Sequence, residues 1–464
     1  MHGSDSRVED AFSAYLARVR AFSRDVLRPA EERVEAEDAI PEEIVAAMRE
    51  LGLFGISLPP QFGGLGWNME QQVLLTMEFT QASAVYRSRF STTIGLTSQV
   101  ILDYGTPAQQ QLYLPAMAAG RVTGAFCLTE EAAGSDAGAV ATRAVRDGAD
   151  YVISGVKRYI TNAPDADLFL VVARTGAPDS GGEGLSCFLV ERGTPGLTTP
   201  PHSRMMGQRG SHVGEVHLDA CRVPQGALLG SKEGNGLKLA LRGINHARTH
   251  VAATCVGQAL RLMDEALDYL TRRRQFGSLI GEFQALQVLL GESQSEISAA
   301  RALVLECARQ FDRGPIPHGE IACAKLFASE MVSRVADRVV QMLGGQGYLE
   351  APPRNPVSRT AGPARPLPTS GRHPAPRDGA PAWPSPCRTQ RSAPRPWRLR
   401  RQALPPGRNP PRRHSPQARC ARPPARPGSP RKTPAAGWRR ARCARAASRG
   451  RPCPASGRCA RTRW

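Results

Sequence analysis

Apolar residues fall at helical spacing through residues 6–120. Ile44, Val45, Met48 and Leu51 recur at intervals of three and four, and Gly52 follows as a stop signal. Leu53–Trp67 breaks the period with Pro59, Pro60 and glycines at 63, 64 and 66, which predicts a loop. Helical spacing resumes over Gln71–Gln81, and Asp103–Pro107 reads as a turn before a helix over Ala108–Met117. From Val122 to about Val223 the period shortens towards two. Tyr151–Ser154, Leu168–Ala173, Cys187–Val190 and Val213–Leu218 are β-rich runs parted by Gly and Asp turns. Helical spacing returns at Gly236. Leu286, Leu290, Ile297, Ala300, Val304 and Cys307 share one face, as do Met331, Val335, Val339 and Met342 before Gly344.

This pattern predicts an α+β protein with an N-terminal α-helical domain at 1–121, a central β-barrel-like domain at 122–235 and a C-terminal helical bundle at 236–350. Three amphipathic helices in a row call for a fourth to close the bundle. After Glu350, however, the chain runs Ala-Pro-Pro-Arg-Asn-Pro and never regains an apolar period. The bundle is therefore expected to be truncated, with uncovered apolar faces. Residues 351–464 hold 25 of the 39 prolines, which forbid any useful helix length, and few aliphatic residues to offset the entropy of ordering. They are expected to form a disordered basic tail.

Charge divides at the same seam. The chain as a whole carries +20, but residues 351–464 hold 28 Lys and Arg against the single acid Asp378, or +27, which leaves −7 on the first 350 residues. A uniformly basic globular protein is excluded, and the positive charge belongs to the tail. Met1–Asp10 lacks the apolar core of a secretory signal, and no apolar run is long enough to span a membrane. Cysteines 127, 187, 221, 255, 307 and 323 are scattered and never form a Cys-x-x-Cys pair, which points to reduced thiols in a cytoplasmic protein. The tail cysteines 387, 420, 443, 453 and 459 are irregularly spaced with few companion histidines, so no metal site is expected.

The stretch richest in chemistry is Phe126-Cys-Leu-Thr-Glu-Glu-Ala-Ala-Gly-Ser-Asp136, followed by Lys157-Arg-Tyr-Ile-Thr-Asn162. It offers the Thr129 hydroxyl, a Gly134-Ser135 turn that can approach a phosphate or polar heterocycle closely, and an aromatic face at Tyr159 beside Thr161. Read on spacing alone, the same residues also fit an ordinary β-turn and a buried strand aromatic.

The first run resembles the flavin signature of the acyl-CoA dehydrogenase family, with Glu131 where that family usually has proline. Tyr159-Ile-Thr-Asn162 resembles its second flavin strand, usually Trp-Ile-Thr-Asn. Further matches follow in family order: Gly52-Leu-Phe-Gly-Ile-Ser-Leu-Pro, Tyr104-Gly-Thr, Arg273-Arg-Gln-Phe-Gly277, Phe283-Gln284 and Gln341-Met-Leu-Gly-Gly-Gln-Gly347. The resemblance implies an oligomeric FAD enzyme, dimer or tetramer, that desaturates acyl-CoA thioesters and passes electrons to an electron-transfer flavoprotein or similar acceptor. It places Phe126, Leu128 and Thr129 on the isoalloxazine, Gly134 and Ser135 by the pyrophosphate with Ser135 also near substrate, and Tyr159, Ile160 and Thr161 against the ring. Arg273, Gln275, Phe276, Gln284, Gln341, Gly344 and Gly345 would reach the FAD of a neighbouring subunit. An arginine suits that position because its planar fork pairs with pyrophosphate oxygens; a solvated helix face is the plain alternative for Arg272–Arg274. Asn245 and Arg248 stand where the family usually has a substrate-contacting Asp-x-x-Arg, or belong simply to a bundle helix. His246 and His250 are open between packing, solvent and function.

The implied reaction needs a carboxylate to take the α-proton. The resemblance offers two places for it. One is a Tyr-Glu-Gly-Thr motif about 20 residues past the Gly-Gly-x-Gly run, where this chain has Pro368; no glutamate follows Glu350. The other directly precedes the substrate arginine, where it has Ala247. Neither carboxylate is present, so turnover is expected to be weak or absent. Two readings account for this: a reading frame lost near residue 350 in a GC-rich gene, or a genuine basic tail whose arginines and tryptophans 383, 397, 438 and 464 bind nucleic acid.

Overall fold

The computed structural model describes the chain from Gly3 to Leu349; the expected disorder and nucleic-acid binding of 351–464, with Pro368, lie outside the described residues. The chain opens with helices Gly3–Phe22 (α1), Arg28–Glu37 (α2), Glu42–Glu50 (α3), Met69–Phe79 (α4), Ala84–Thr92 (α5), Ser98–Tyr104 (α6) and Pro107–Ala118 (α7). Capping boxes start two of them: Asn68 and Gln71 exchange bonds ahead of α4, and Thr106 and Gln109 ahead of α7, with Pro107 at the first helical position. After α3 the backbone turns at Gly52, whose φ of +74° favours glycine, and Leu53–Trp67 is the expected loop, carrying two short 3₁₀ turns. Between α5 and α6 a π-helical turn, Thr93–Thr97, runs without a break.

Seven strands follow: Gly124–Cys127 (β1), Arg143–Asp147 (β2), Asp150–Thr161 (β3), Leu168–Arg174 (β4), Leu185–Glu191 (β5), Leu197–Thr198 (β6) and Val213–Pro224 (β7). They form one curled sheet in the order β1-β4-β2-β3-β7-β6, with β5 beside β4. β1 pairs with β4 in parallel, whereas β3–β7 and β4–β5 are antiparallel. Every residue of β4 is buried, which is why it reads as a continuous apolar run. Its faces divide cleanly: Leu168, Leu170 and Val172 enter a core shared with Leu128 and Leu239, and Phe169, Val171 and Ala173 pack with Ile160 and Val216 on the other side.

The remainder is helical: Gly236–Leu270 (α8), a hairpin of Arg274–Gln275 (β8) and Ser278–Leu279 (β9), Gln284–Arg313 (α9), His318–Leu343 (α10) and the single turn Gly345–Tyr348 (α11). Ile297, Ala300, Val304, Cys307, Met331, Val335, Val339 and Met342 are buried together as their spacing predicted, while Leu286 and Leu290 are only partly covered. The bundle has a fourth partner that its local sequence does not reveal. Met69, Val73 and Met77 of α4 enter the same core. The approach is close: a Cβ on Gly257 would lie 2.3 Å from Thr80 Oγ1 and 2.4 Å from the Met77 carbonyl. Asp312 of α9 also accepts the Met69 and Glu70 amides at 2.7 and 2.9 Å. Leu267, Val288 and Leu326, one on each bundle helix, remain exposed.

No helix among the described residues is long and apolar enough to cross a membrane. The six cysteines here are all free, five of them buried and Cys323 exposed.

Candidate functional site

β1 lies at one end of the sheet, and the chain leaving it carries the first flavin-like motif. The second motif is brought against it. Arg158 N–H donates to the Thr129 carbonyl at 2.9 Å, and Lys157 Nζ, fully buried one residue earlier, donates to the carbonyls of Leu128 at 3.2 Å and Val172 at 2.6 Å. Lys157 also meets Glu130 Oε1 at 2.7 Å, and Glu130 in turn accepts the amides of Ala141 and Thr142. Burial alone would raise the Glu130 carboxyl. The Lys157 charge and these hydrogen bonds more than offset that and hold it below the usual range. Burial pushes the Lys157 ammonium down, partly countered by Glu130.

The neighbouring side chains stay available. Ladder register slips between Lys157 and Ile160, and in that bulge Tyr159 takes φ +57° and stands 71% exposed. The buried-aromatic alternative is therefore overturned, because the bulge turns the ring out of the sheet. Ile160 is buried in the β-core and offers only its backbone, while Thr129, Thr161 and Phe126 are half-buried. Gly134 and Ser135 are exposed, and a Cβ on Gly134 would meet nothing within 4 Å. An exposed aromatic, hydroxyls free of hydrogen bonds at Thr129 and Ser135, and an open glycine turn fit a large planar polar cofactor such as FAD.

The other predicted cofactor residues gather elsewhere. Arg273 shares a cleft of about 360 Å³ with Glu265, Tyr269, Leu343 and Gln346, beside exposed Gln341, Gly344 and Gly345. α8 ends at Leu270, so Arg272–Arg274 form a turn and hairpin, and the helix-face alternative fails. Phe276 at the hairpin tip has φ +52° and is 95% exposed; Gln275 and Gln284 are exposed nearby. The flavin-like strand packs near Leu239 and Ala240 on α8, whereas the hairpin begins about 30 residues later, or about 45 Å along a straight helix. One dinucleotide does not bridge that span within a single chain.

Asn245 and Arg248 lie on α8 and form a relay. Arg248 Nη1 donates to Asn245 Oδ1 at 3.3 Å, and Asn245 Nδ2 lies 2.7 Å from His318 Nδ1. Burial lowers the Arg248 guanidinium. His318 lines a cleft of about 700 Å³ with Gly182, Glu183, Asn235, Lys238 and Arg242, at the start of α8. The sequence reading missed Lys238 and His318; the Gly181-Gly-Glu-Gly184 run and the lysine in the first turn of α8 were the available signals. α8 is docked there by Gly236, where a Cβ would come within 2.6 Å of the Ser186 nitrogen. His246 and His250 are buried. Burial, then the Arg242 and Arg87 charges, lower His246 to about 3, and His250 sits between Thr76 Oγ1 at 3.1 Å and Gln72 Oε1 at 3.0 Å.

Asp38, His202 and His212 bring three ligand-type atoms within 4.8 Å of one another. His212 spends both ring nitrogens on other partners, Asp165 Oδ2 at 2.8 Å and the Asp38 carbonyl at 2.9 Å, so the group reads as a hydrogen-bonded junction.

Comparison with known proteins shows what the sequence and the fold are similar to. Three family models match in order: "Acyl-CoA dehydrogenase, N-terminal domain" over 10–121, "middle domain" over 125–221 and "C-terminal domain" over 234–368. An acyl-CoA dehydrogenase of Bacillus subtilis (strain 168) is 36% identical over 343 residues, 74% of this chain and 90% of that protein. Butyryl-CoA dehydrogenase from Megasphaera elsdenii superposes with a TM-score of 0.73 at 31% identity, covering 76% of this chain and 92% of that one. A glutaryl-CoA dehydrogenase from Mycobacterium smegmatis in complex with FADH2 gives 0.71 at 29% identity, covering 76% and 89%.

Proposed function

The chain belongs to the acyl-CoA dehydrogenase family, FAD-dependent oxidoreductases of CH–CH bonds, and from that premise we propose that its body binds FAD and an acyl-CoA thioester but turns the thioester over weakly or not at all. The observation that carries the binding is the Arg158–Thr129 hydrogen bond of 2.9 Å, which locks the two flavin motifs side by side. When bound, FAD supplies a hydride acceptor. Phe126, Leu128 and Thr129 hold the ring edge, Tyr159, Ile160 and Thr161 flank it, and Gly134 and Ser135 leave room for the pyrophosphate. Lys238, Arg242 and His318 line an anion-attracting cleft for the CoA portion, from which Asn245 and Arg248 steady the acyl end.

Proton abstraction is the step without a group to perform it. Ala247 stands directly before Arg248, and no glutamate occurs after Glu350. An α-C–H is a weak acid, so a site lacking a positioned base loses on the order of 10²–10⁴ in rate from that term alone.

A second copy of the chain completes the cofactor site in this reading. The hairpin with Arg273, Gln275 and Phe276, together with Gln284, Gln341, Gly344 and Gly345, reaches the partner's FAD, and exposed Phe276 anchors the contact. A homo-oligomer, dimer or tetramer, follows, with an electron-transfer flavoprotein or similar acceptor as redox partner. Free, mostly buried thiols support a cytoplasmic setting.

Absorbance of the purified protein at the flavin bands, followed by anaerobic addition of acyl-CoA, tests this. Bound flavin that shifts but does not bleach is the expected result, and rapid full reduction refutes the missing base. Salt-sensitive nucleic-acid binding that disappears on deleting 351–464 would favour the rival reading of a non-catalytic flavin protein with a nucleic-acid-binding tail.

A further inference from the structure

A guanidinium can only donate, so Arg248 fixes how the Asn245 amide is turned. Arg248 Nη1 donates to Asn245 Oδ1 at 3.3 Å, which leaves Asn245 Nδ2 on the other side, 2.7 Å from His318 Nδ1. An amide nitrogen also only donates, so Nδ1 must offer a lone pair, and His318 in this arrangement is neutral with its proton on Nε2. The donors point one way along the relay, from Arg248 through Asn245 to His318. The three residues stand at different depths. Asn245 is 5% exposed, and its backbone carbonyl accepts the Thr249 hydroxyl at 3.2 Å. Arg248 is half-buried, whereas His318 is exposed, as the first residue of α10 on the rim of the cleft. A proton can therefore reach the histidine from water, while the arginine coupled to it lies inside.

Protonation of the imidazole reverses the relay. A protonated Nδ1 is a donor facing the Nδ2 donor, and the amide restores that contact only by turning over to present Oδ1 to His318. The turn points Nδ2 at Arg248, donor against donor, and the bond from Arg248 is lost. A carboxylate at position 245 would accept from Arg248 and from a protonated histidine alike and carry no signal. The amide of Asn245, with one donor end and one acceptor end, does carry it. The other titratable groups on the cleft are Tyr104 of α6, Glu183 of the turn before β5, and Lys238 and Arg242 of α8, with Glu320 on α10 itself. Arg242 is spent on Asp103 at 2.8 Å. Among the described residues none of these bonds to the ring, so the proton on His318 acts through Asn245.

We propose that His318 is a positioning residue for thioester binding: through Asn245 it holds Arg248 in place while neutral and releases it when a proton is taken up at the cleft mouth. The inference rests on the acyl-CoA reading above and adds to it a residue that acts on the substrate through two others. Histidine is the residue type suited to this, since its charge changes between about pH 5 and 8. The acyl end of the site is then held firmly in neutral or mildly alkaline solution and loosened in mild acid.

The test is anaerobic titration of the FAD-loaded protein with S-butyryl-pantetheine at about pH 5.5 and about pH 8, read by perturbation of the flavin spectrum. This probe carries the thioester without the nucleotide phosphates that a protonated His318 would attract directly. Wild type is expected to bind it at least about fivefold tighter at the higher pH. His318→Gln, whose amide oxygen accepts from Asn245 at either pH, should lose the dependence, and so should Asn245→Asp. His318→Lys, a donor throughout this range, should keep the weaker affinity at both pH values. Each variant is compared with itself across pH, and retained flavin absorbance shows that it is folded; if one loses flavin, the others decide. Equal wild-type affinity at the two pH values, or a dependence that survives in His318→Gln or Asn245→Asp with flavin retained, overturns the proposal and leaves the acyl-CoA reading standing. Flavin-loaded protein that binds neither this thioester nor butyryl-CoA at either pH overturns both.

Discussion

Lys157 Nζ lies 2.7 Å from Glu130 Oε1, with the two side chains 0% and 8% exposed, directly beneath the peptide that carries Leu128 and Thr129. The lysine also holds the Leu128 carbonyl, so one buried cation fixes both the turn and the strand end expected to meet the flavin. Replacing it by methionine strands a buried carboxylate. Lys157→Met is expected to lose about 3–5 kcal/mol of stability, as broken buried pairs do, and to lose flavin. Urea denaturation and flavin absorbance check it; unchanged values in both would refute a structural role for the pair.

The junction between Asp38 and the segment before β7 titrates. A hydrogen bond that His212 donates to Asp165, followed by one to the Asp38 carbonyl and both acids' charge, raises His212 from 6.5 to about 9 despite partial burial. The His212 bond in turn holds Asp165 below its usual range. A raised histidine contributes stability that is complete below about 6.5 and lost as pH climbs through about 9. The depressed Asp165 acts at the other end, losing its contribution as pH falls below the usual carboxylate range. His212→Gln should therefore lower Tm by a few degrees near pH 6, and the difference from wild type should shrink by pH 9.5. A constant difference across that range would show that His212 acts by packing alone.

Gly236 sets the start of α8 against β5, with the Ser186 nitrogen 2.6 Å from any added Cβ. Gly236→Ala must push the helix end outward by several tenths of an ångström, moving Lys238 relative to Gly182 and Glu183. Acyl-CoA affinity is expected to fall about tenfold or more with flavin retained, measured by spectral titration. Retained affinity would mean that the cleft at the start of α8 does not hold the CoA portion.

Much of this was legible in the chain, for reasons that differ by element. Helical and strand spacing reports burial directly, so α9, α10 and β4 follow from Ile297, Met331 and Leu168–Ala173. Turn chemistry marked Gly52 and the Gly134-Ser135 bend. What was hidden depends on distant pairing. Tyr159 is exposed because a bulge against β7 rotates it, and no local pattern encodes that bulge. Met69, Val73 and Met77 close the bundle from about 170 residues earlier in the chain. Arg87 sits among charged and polar neighbours in Tyr86-Arg-Ser-Arg-Phe90 and reads as a surface residue, until packing against α8 takes it out of water.

Phe276 projects from a two-residue-stranded hairpin at 95% exposure, with its ring 6.3 Å from that of Phe283. An aromatic held this far out on a short hairpin with φ +52° carries a strain cost in the single chain, which fits the proposed contact with a second copy. Phe276→Asp is expected to shift the protein to monomer in light scattering and to weaken FAD binding in proportion. A variant that stays oligomeric with flavin intact would place the interface elsewhere.

Ala247 offers the most direct test of the proposal that the chain lacks a base. It is half-buried, directly before Arg248, and its Cα lies 3.9 Å from where a Cβ on Gly95 would stand. A glutamate there would stand in a half-buried setting with Arg248 next in sequence and, in the proposed reading, an acyl chain alongside. Burial would raise its pKa towards the working range of a general base. Ala247→Glu is therefore expected to convert flavin that merely shifts on thioester binding into flavin that bleaches, with a rate gain on the order of 10²-fold or more. Ala247→Gln, matched in size but unable to take a proton, should not bleach. Bleaching by wild type and glutamine variant alike would mean that this chain already supplies a base from another position.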